Sequence, residues 1–99
     1  MSDHFLVTFA ESAVLDLEAI QEYYQEQEAP EVDDRFVKEI ISSVEGLAPH
    51  PDRGRIVPEF NTSQLRELIH PPFRIVYRRY KGKVSVVRVW RSERSMQLP

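Results

Sequence analysis

The sequence predicts an α+β domain of order β-α-α-β-β-β, in which a two-helix hairpin packs on one face of a small, mainly antiparallel sheet. In the first half of the chain, apolar residues recur with the 3.6-residue period of amphipathic helices. The second half instead contains runs rich in β-branched and aromatic residues, separated by turn signals. At 99 residues the chain has room for one domain, residues 1–99.

The first half is predicted to form one strand and two helices. His4–Phe9 is a β-prone run, and from about Ala10 to Gln27 the pattern becomes helical. Pro30 suits the first turn of a second helix, because proline there removes no helical hydrogen bond, and this helix stops before Pro49. The apolar stripe of the first helix consists of Ala13, Leu17, Ile20 and Tyr24.

The second half is predicted to form strands. A short extended piece at Arg55–Val57 precedes a strand over Gln64–Ile69, and the two strongest strand candidates are Phe73–Tyr80 and Lys83–Arg91. Lys81-Gly82 forms the two-residue loop between these two, since glycine takes the positive φ that such turns require. The last two strands are therefore antiparallel.

This hairpin turn sets an expected register between the last two strands. The expected pairs are Tyr80 with Lys83, Tyr77 with Val86, Ile75 with Arg88, and Phe73 with Trp90. The opposite sheet face is then expected to carry Arg74, Val76, Arg78, Ser85, Val87, Val89 and Arg91. One face meets the helices and the other is the expected working surface, but periodicity does not distinguish them.

Composition excludes several kinds of site. The chain has no cysteine, which excludes disulfide frameworks, thiolate zinc sites and cysteine nucleophiles, and its three histidines lack the spacing of a metal-binding helix. No serine lies in a Gly-x-Ser-x-Gly context, and no phosphate-binding loop is present. We therefore expect no metal and no cofactor. No apolar run approaches the roughly 20 residues of a membrane span, so a cytoplasmic protein without a membrane partner is expected.

Charge divides the chain into two halves. From Met1 to Pro49 there are 2 basic residues against 12 acidic ones, whereas from His50 to Pro99 there are 11 basic residues against 4 acidic ones. Such asymmetry indicates that the basic half contacts a polyanion. The alternative is an acidic helix pair that neutralises a basic sheet beside it.

The residues that could carry chemistry are arginines on the predicted strands together with Glu59 in a loop. The planar donor fork of arginine grips phosphate and stabilises the added negative charge of a phosphoryl-transfer transition state. A carboxylate beside such arginines can act as a general base toward a ribose 2′-hydroxyl. The combination predicts a metal-independent endoribonuclease. The alternative is that Glu59 forms a simple salt bridge with Arg55 or Arg66.

Five sequence blocks carry a resemblance to a known family. They are Ala13-x-x-Asp16-Leu17-x-x-Ile20, Gly54-Arg55-Ile56-Val57-Pro58-Glu59-Phe60, Arg66-Glu67-Leu68-Ile69, Phe73-Arg74-Ile75-Val76-Tyr77-Arg78, and Val87-x-Val89-Trp90-Arg91-x-x-Arg94. In their order and spacing they resemble the RelE/ParE toxin superfamily of bacterial type II toxin–antitoxin systems. The resemblance covers nearly the whole chain.

This resemblance implies a toxin whose inhibition of growth is neutralised by a cognate antitoxin, as in plasmid stabilisation. Members either cleave messenger RNA (mRNA) on the ribosome, as mRNA interferases, or inhibit DNA gyrase. The sequence favours ribosome-dependent cleavage, because Glu59 resembles the general base of YoeB-type members and Arg74 resembles their arginine that contacts the scissile phosphate. The alternatives are a ParE-type gyrase inhibitor and a degenerate, non-toxic module that only binds antitoxin.

The implied partners are the antitoxin and either the ribosome with mRNA or DNA gyrase, with operator DNA contacted only through the antitoxin. The expected catalytic residues are Glu59, Arg74 and Arg91. The residues expected to bind RNA or another target are Arg55, Arg66, Arg78, Trp90 and Arg94. Ribonuclease members place a His, often followed by Tyr, near the position of Trp90-Arg91, and this chain has neither residue there. Arg91 is no substitute for that His as a general acid, because arginine does not donate its proton at neutral pH. Arg88, on the other predicted face, is instead expected either to dock the antitoxin or to pair with the acidic helices.

Overall fold

The computed structural model describes residues 4–91 and contains two helices on a five-stranded sheet. Its elements are β1 (Leu6–Phe9), α1 (Glu11–Glu26), α2 (Pro30–Glu45), β2 (Arg55–Ile56), β3 (Leu65–His70), β4 (Phe73–Tyr80) and β5 (Lys83–Arg91). The strand order is β1-β5-β4-β3-β2, in which β1 runs parallel to β5 and every other pair is antiparallel. The predicted α+β fold and its order of elements are confirmed, and the short extended piece expected at Arg55–Val57 forms the additional strand β2.

The helices form where the apolar periodicity places them. Pro30 occupies the first turn of α2, where its missing N–H costs nothing. The helices bury their apolar stripes against one sheet face, and the buried residues of this core come from α1, α2, the turn after α2, and strands β4 and β5. Its buried members are Ala13, Ile40, Val44, Leu47, Phe73, Ile75, Tyr77, Val84, Val86 and Val89.

The β4–β5 hairpin closes through the predicted two-residue turn. Lys81 and Gly82 both have positive φ, 47° and 78°, as the favoured hairpin turns require. Next to the turn the predicted register is confirmed, since Tyr80 pairs with Lys83 and Tyr77 pairs with Val86.

A β-bulge then changes the register. Tyr77 pairs with Val86 but Val76 pairs with Arg88, so β5 contains one extra residue, Val87. The expected pairs of Ile75 with Arg88 and Phe73 with Trp90 were therefore wrong. Beyond the bulge the observed pairs are Ile75 with Val89, Arg74 with Trp90, and Phe73 with Arg91. Because side chains alternate between faces, the bulge moves Val89 and Arg91 to the helix side and Trp90 to the other side.

Helix α1 covers the edge of β5 that β1 leaves open. Ser12 Oγ donates a hydrogen bond to the carbonyl oxygen of Val87 (2.6 Å), and the Asp16 carboxylate accepts one from the backbone N–H of Val89 (2.9 Å). The same carboxylate accepts two bonds from the Arg88 guanidinium, each 2.8 Å long. Of the two alternatives expected for Arg88, the structure shows the pairing with an acidic helix.

The sheet face away from the helices is called the open face. It carries Leu65, Glu67, Arg74, Val76, Arg78, Tyr80 and Trp90. A second buried cluster lies here, where the loop after β2 places Val57 against Leu65, Val76 and Val87. Across residues 4–91, neither helix combines the length and the apolar character that a membrane span needs.

Candidate functional site

A buried carboxylate lies at the centre of the open face. Glu67 of β3 is only 1% exposed, and the register places it opposite Arg55 of β2. Arg55 Nε donates to Glu67 Oε2 (2.7 Å), and Arg74 Nε donates to Glu67 Oε1 (2.6 Å). Each carboxylate oxygen therefore has a charged donor, which is what the burial of a carboxylate requires.

Arg74 forms a second, two-pronged ion pair with Glu59. Its Nη1 donates to Glu59 Oε2 (2.8 Å) and its Nη2 donates to Glu59 Oε1 (2.9 Å). Glu59 lies in the loop between β2 and β3, and 42% of its side chain is exposed, against 10% for that of Arg74. We refer to Arg55, Glu59, Glu67 and Arg74 as the ion-pair cluster.

The cluster shifts the ionisation of its members. The hydrogen bonds from Arg74, followed by one from its own backbone, lower the pKa of Glu59 to about 2. The hydrogen bonds to Glu59 and then Glu67 raise the pKa of Arg74 above its ordinary value. With two positive and two negative members, the cluster is electrically balanced, and its only carboxylate accessible to solvent is a weak base.

Three predicted site residues are brought together here, namely Arg55, Glu59 and Arg74. The alternative expectation, that Glu59 pairs with Arg55 or Arg66, was wrong, because the loop aims Glu59 at Arg74 instead. Trp90 lies on the same face, opposite Arg74 in the register. The Arg88 guanidinium lies 4.5 Å from the centroid of the Trp90 ring, so this indole is partly covered by a cation.

Arg66 and Arg91 lie on the helix side of the sheet, away from Arg74. Arg66 pairs with Tyr77 in the register, and its guanidinium donates to the backbone carbonyls of Gly54 (3.0 Å) and Ser63 (3.0 Å). These bonds tie together the loops on both sides of β2.

The guanidinium of Arg91 lies 5.6 Å from the ring centroid of Tyr23 in α1 and 5.9 Å from that of Phe73. The expectation that Arg91 shares a face with Arg74 was wrong, and the bulge at Val87 is the reason. Arg94 lies outside the described residues.

Arg78 and Tyr80 project from β4 near the hairpin end of the open face, where they line a shallow groove. The groove has a volume of about 580 Å³. Its lining consists of Phe60, Thr62, Gln64, Leu65, Arg78 and Tyr80, and we call it the Arg78 groove.

Sequence reasoning missed Glu67 and Asp16. Glu67 stands two positions after Leu65 in a strand, so strict alternation would have placed it on the same buried face, where a carboxylate needs a cationic partner. Asp16 carries no such signal, because its partners belong to the edge of β5, far along the chain. Within residues 4–91, no group of three or more histidine or carboxylate side chains is arranged to hold a metal ion.

Comparison with known proteins gives one family and a shared fold. A family model described as the ParE toxin of the type II toxin–antitoxin system, parDE, matches residues 7–96. The fold is similar to that of a chain in the chromosomal ParDE system from P. aeruginosa, with a TM-score of 0.77, 24% identity, and coverage of 93% of this chain and 100% of that chain. It is also similar to a chain of the RelBE2 toxin–antitoxin complex from Mycobacterium tuberculosis, with a TM-score of 0.60, 18% identity, and coverage of 89% and 91%. No curated protein matches the sequence significantly.

Proposed function

The chain belongs to the ParE family of toxins of type II toxin–antitoxin systems, and from this premise we propose that it arrests growth by binding DNA gyrase, without cleaving RNA. The observation that carries this proposal is the two-pronged ion pair between Glu59 and Arg74. Considered without the structure, the sequence favoured ribosome-dependent cleavage, and this ion pair reverses that preference.

A general base works best when its pKa lies near the operating pH. Glu59 has a pKa of about 2, and both of its carboxylate oxygens accept hydrogen bonds from Arg74. Its affinity for the proton of a 2′-hydroxyl is accordingly low. Arg74 in turn has three of its five N–H donors engaged by carboxylates, which leaves little of its fork for a phosphate.

Another residue expected to be catalytic, Arg91, does not lie beside Arg74. Arg91, the expected phosphate clamp, lies on the opposite side of the sheet from Arg74, against Tyr23 and Phe73. Trp90 is near Arg74 but carries no group that donates a proton to a leaving oxygen. A toxin that acts by binding a protein needs none of these groups, so the arrangement supports gyrase inhibition over nuclease chemistry.

We further propose that a cognate antitoxin binds and neutralises this toxin. The similar structure from M. tuberculosis is that of a toxin–antitoxin complex, and the one from P. aeruginosa belongs to a ParDE system. The antitoxin encoded beside this toxin is the expected partner.

The proposal is tested with purified toxin in two assays run on one preparation. The first measures supercoiling of relaxed plasmid by gyrase, and the second measures mRNA cleavage by primer extension after translation in vitro. We expect supercoiling to be blocked and the message to remain intact, and addition of the cognate antitoxin should restore supercoiling. Message breaks at codon boundaries that appear only with ribosomes, together with unimpaired supercoiling, would overturn the proposal.

A further inference from the structure

Arg78 differs from every other arginine in residues 4–91. Each of the other eight has an ion pair, a hydrogen bond or an aromatic ring against its guanidinium; they are Arg35, Arg53, Arg55, Arg66, Arg74, Arg79, Arg88 and Arg91. Arg78 is exposed, and among the described residues its guanidinium has none of these partners. Its charge and its donor fork are therefore available to another molecule.

The surroundings of Arg78 are apolar and aromatic. Two aromatic residues line the Arg78 groove, Phe60, which is 39% exposed, and Tyr80, which is 52% exposed, whereas Leu65 is 4% exposed and pairs with Arg78 in the register. Exposed aromatic side chains beside an arginine are typical of the residues that dominate protein–protein binding energy. The remaining lining residues, Thr62 and Gln64, supply a hydroxyl and an amide for hydrogen bonds.

The charge around the groove has one sign. Lys83 pairs with Tyr80 on the open face, and Lys81 Nζ lies 5.2 Å from the Tyr80 ring centroid. None of the described residues that line the groove is a carboxylate. The ion-pair cluster on the same face is already balanced by its own carboxylates, so Arg78 and its two lysine neighbours give this end of the face its positive field.

From these observations we propose that the Arg78 groove is the docking surface for the protein target of the toxin, and that it binds an acidic segment. In that segment a carboxylate pairs with Arg78 while neighbouring apolar side chains pack against Phe60 and Tyr80. The assignment rests on the proposed function, which requires a surface for a protein target. Arg55 and Arg74, the cations near the centre of this face, are already paired with Glu59 and Glu67.

The test compares Arg78→Glu with Lys38→Glu, a matched charge reversal at an exposed lysine on α2. Growth arrest on induction and the toxin concentration that half-inhibits gyrase are measured, with thermal unfolding as the check on folding. We expect Arg78→Glu to weaken both activities by at least roughly tenfold, and Lys38→Glu to leave them unchanged. Tyr80→Ala, which removes an exposed ring and no charge, is expected to weaken them in the same direction.

The outcomes separate this proposal from the proposed function. If the wild type inhibits gyrase and folded Arg78→Glu inhibits it equally well, the groove proposal is overturned and gyrase inhibition stands. If the wild type does not inhibit gyrase but arrests growth, and Arg78→Glu abolishes the arrest, gyrase is the wrong target and the groove proposal stands.

Two further measurements test whether the groove instead binds the antitoxin or RNA. Affinity for the cognate antitoxin is expected to change less than affinity for gyrase, and a loss confined to the antitoxin would overturn the proposal. Fluorescence anisotropy with a labelled single-stranded RNA oligonucleotide is expected to give no binding that depends on Arg78. Arg78-dependent RNA binding together with unchanged gyrase binding would likewise overturn the proposal.

Discussion

At Glu67, a carboxylate that is 1% exposed is held between the guanidinium groups of Arg55 and Arg74. Removing one partner of a buried ion pair costs far more than the pair itself contributes, because it leaves an uncompensated charge in a poorly solvated place. Glu59 belongs to the same cluster, but 42% of its side chain is exposed, so water can replace its contacts. Substitutions of the two glutamates are therefore expected to have very different effects on stability.

Glu67→Gln is expected to lower the free energy of unfolding by about 3 kcal/mol, since it leaves buried Arg74 without one of its two anions. For a domain of this size, that corresponds to a fall in Tm of more than about 10 °C. Glu59→Gln, the matched control, is expected to cost about 1 kcal/mol or less. Thermal unfolding measured by circular dichroism checks both values, and equal losses in the two variants would contradict the account of the cluster.

Asp33, in the first turn of α2, is expected to make the stability of the fold depend on pH. It is 5% exposed, and its Oδ1 is buried without a hydrogen-bond partner among the described residues. Burial first, and the neighbouring charge of Asp34 second, raise the pKa of Asp33. The folded state thus favours the protonated carboxyl, whose stabilising contribution is present at low pH and is lost as the pH rises through the folded-state pKa.

Asp33→Asn is therefore expected to raise Tm at pH 7, because it removes the cost of a buried charge. The gain should shrink as the pH is lowered through the raised pKa of Asp33, because the wild-type carboxyl then takes up its proton. Asp34→Asn, at the exposed neighbouring position, should give no such pH-dependent gain. If Asp33→Asn instead lowers Tm at pH 7, the prediction is wrong and this carboxylate has a stabilising partner.

At the scale of elements, α1 acts as a cover for a strand edge. An uncovered edge exposes unpaired backbone groups to water and to other chains. Ser12 and Asp16, one helical turn apart, satisfy the carbonyl of Val87 and the N–H of Val89 on β5. The position of the bulged strand is thus tied to the helix by side chains, besides the apolar core.

Asp16→Ala is expected to destabilise the fold by about 2–3 kcal/mol, since it removes hydrogen bonds to the Arg88 guanidinium and to a backbone N–H. Glu18→Ala, at an exposed position on the same helix, is expected to change stability by less than about 0.5 kcal/mol. Urea unfolding of the two variants provides the comparison. Equal midpoints would mean that α1 does not secure the edge of β5.

The segment leading into β2 is fixed by a close approach at Gly54. Its N–H donates to Tyr77 Oη (3.0 Å), and Tyr77 Oη donates to the carbonyl of Pro51 (2.6 Å). A Cβ added at Gly54 would lie 2.6 Å from the carbonyl oxygen of Glu67 and 2.7 Å from Tyr77 Oη. The backbone that leads to Arg55 and the ion-pair cluster therefore has room only for glycine.

Gly54→Ala is expected to cost about 3 kcal/mol, because strand backbone must move to admit the methyl group. Gly82→Ala, in the hairpin turn, is expected to cost about 1 kcal/mol, since the space there is open and only the positive φ is unfavourable. Calorimetric unfolding of the two variants tests this ranking. A smaller loss for Gly54→Ala than for Gly82→Ala would contradict the packing described at Gly54.

At the scale of the whole molecule, the sequence predicted the elements better than their register. Helices α1 and α2 and the Lys81-Gly82 turn follow from local signals, namely apolar period, a proline at a helix start and a glycine with positive φ. The bulge has no such signal in the sequence. Val86 and Val87 are adjacent and both apolar, so the alternation of apolar and polar residues does not show that a residue is inserted there. The expected strand pairs beyond Val87 and the expected placement of Arg91 failed for that reason.

The candidate site was predictable only in part. Glu59 and Arg74 were identified by residue type and by resemblance, and the structure brings them into contact. Their contact is a two-pronged ion pair for two reasons. Glu67 orients Arg74 from a different strand, and the loop after β2 follows a path that brings Glu59 to Arg74. Contacts of this kind are set by tertiary packing and leave no periodic trace in the sequence.

The division of charge along the chain is preserved in space. The acidic helices reach the basic sheet through the Asp16–Arg88 ion pair and through Glu39, whose carboxylate lies 2.9 Å from His70 Nε2. The other described strand arginines with carboxylate partners pair with acids of the second half of the chain. The helices therefore neutralise only part of the sheet, and the end of the open face around Arg78 keeps its positive charge.

The central claim is that Glu59 is a member of a closed ion pair and has no role as a catalytic base. The most direct test is growth arrest on induction of Glu59→Gln compared with the wild type, at equal protein levels and with folding checked by thermal unfolding. We predict that the arrest persists with little change in potency, since a binding toxin does not use this carboxylate as a base. Loss of a general base costs about 10²–10⁴-fold in rate, so a folded Glu59→Gln that no longer arrests growth would contradict the account.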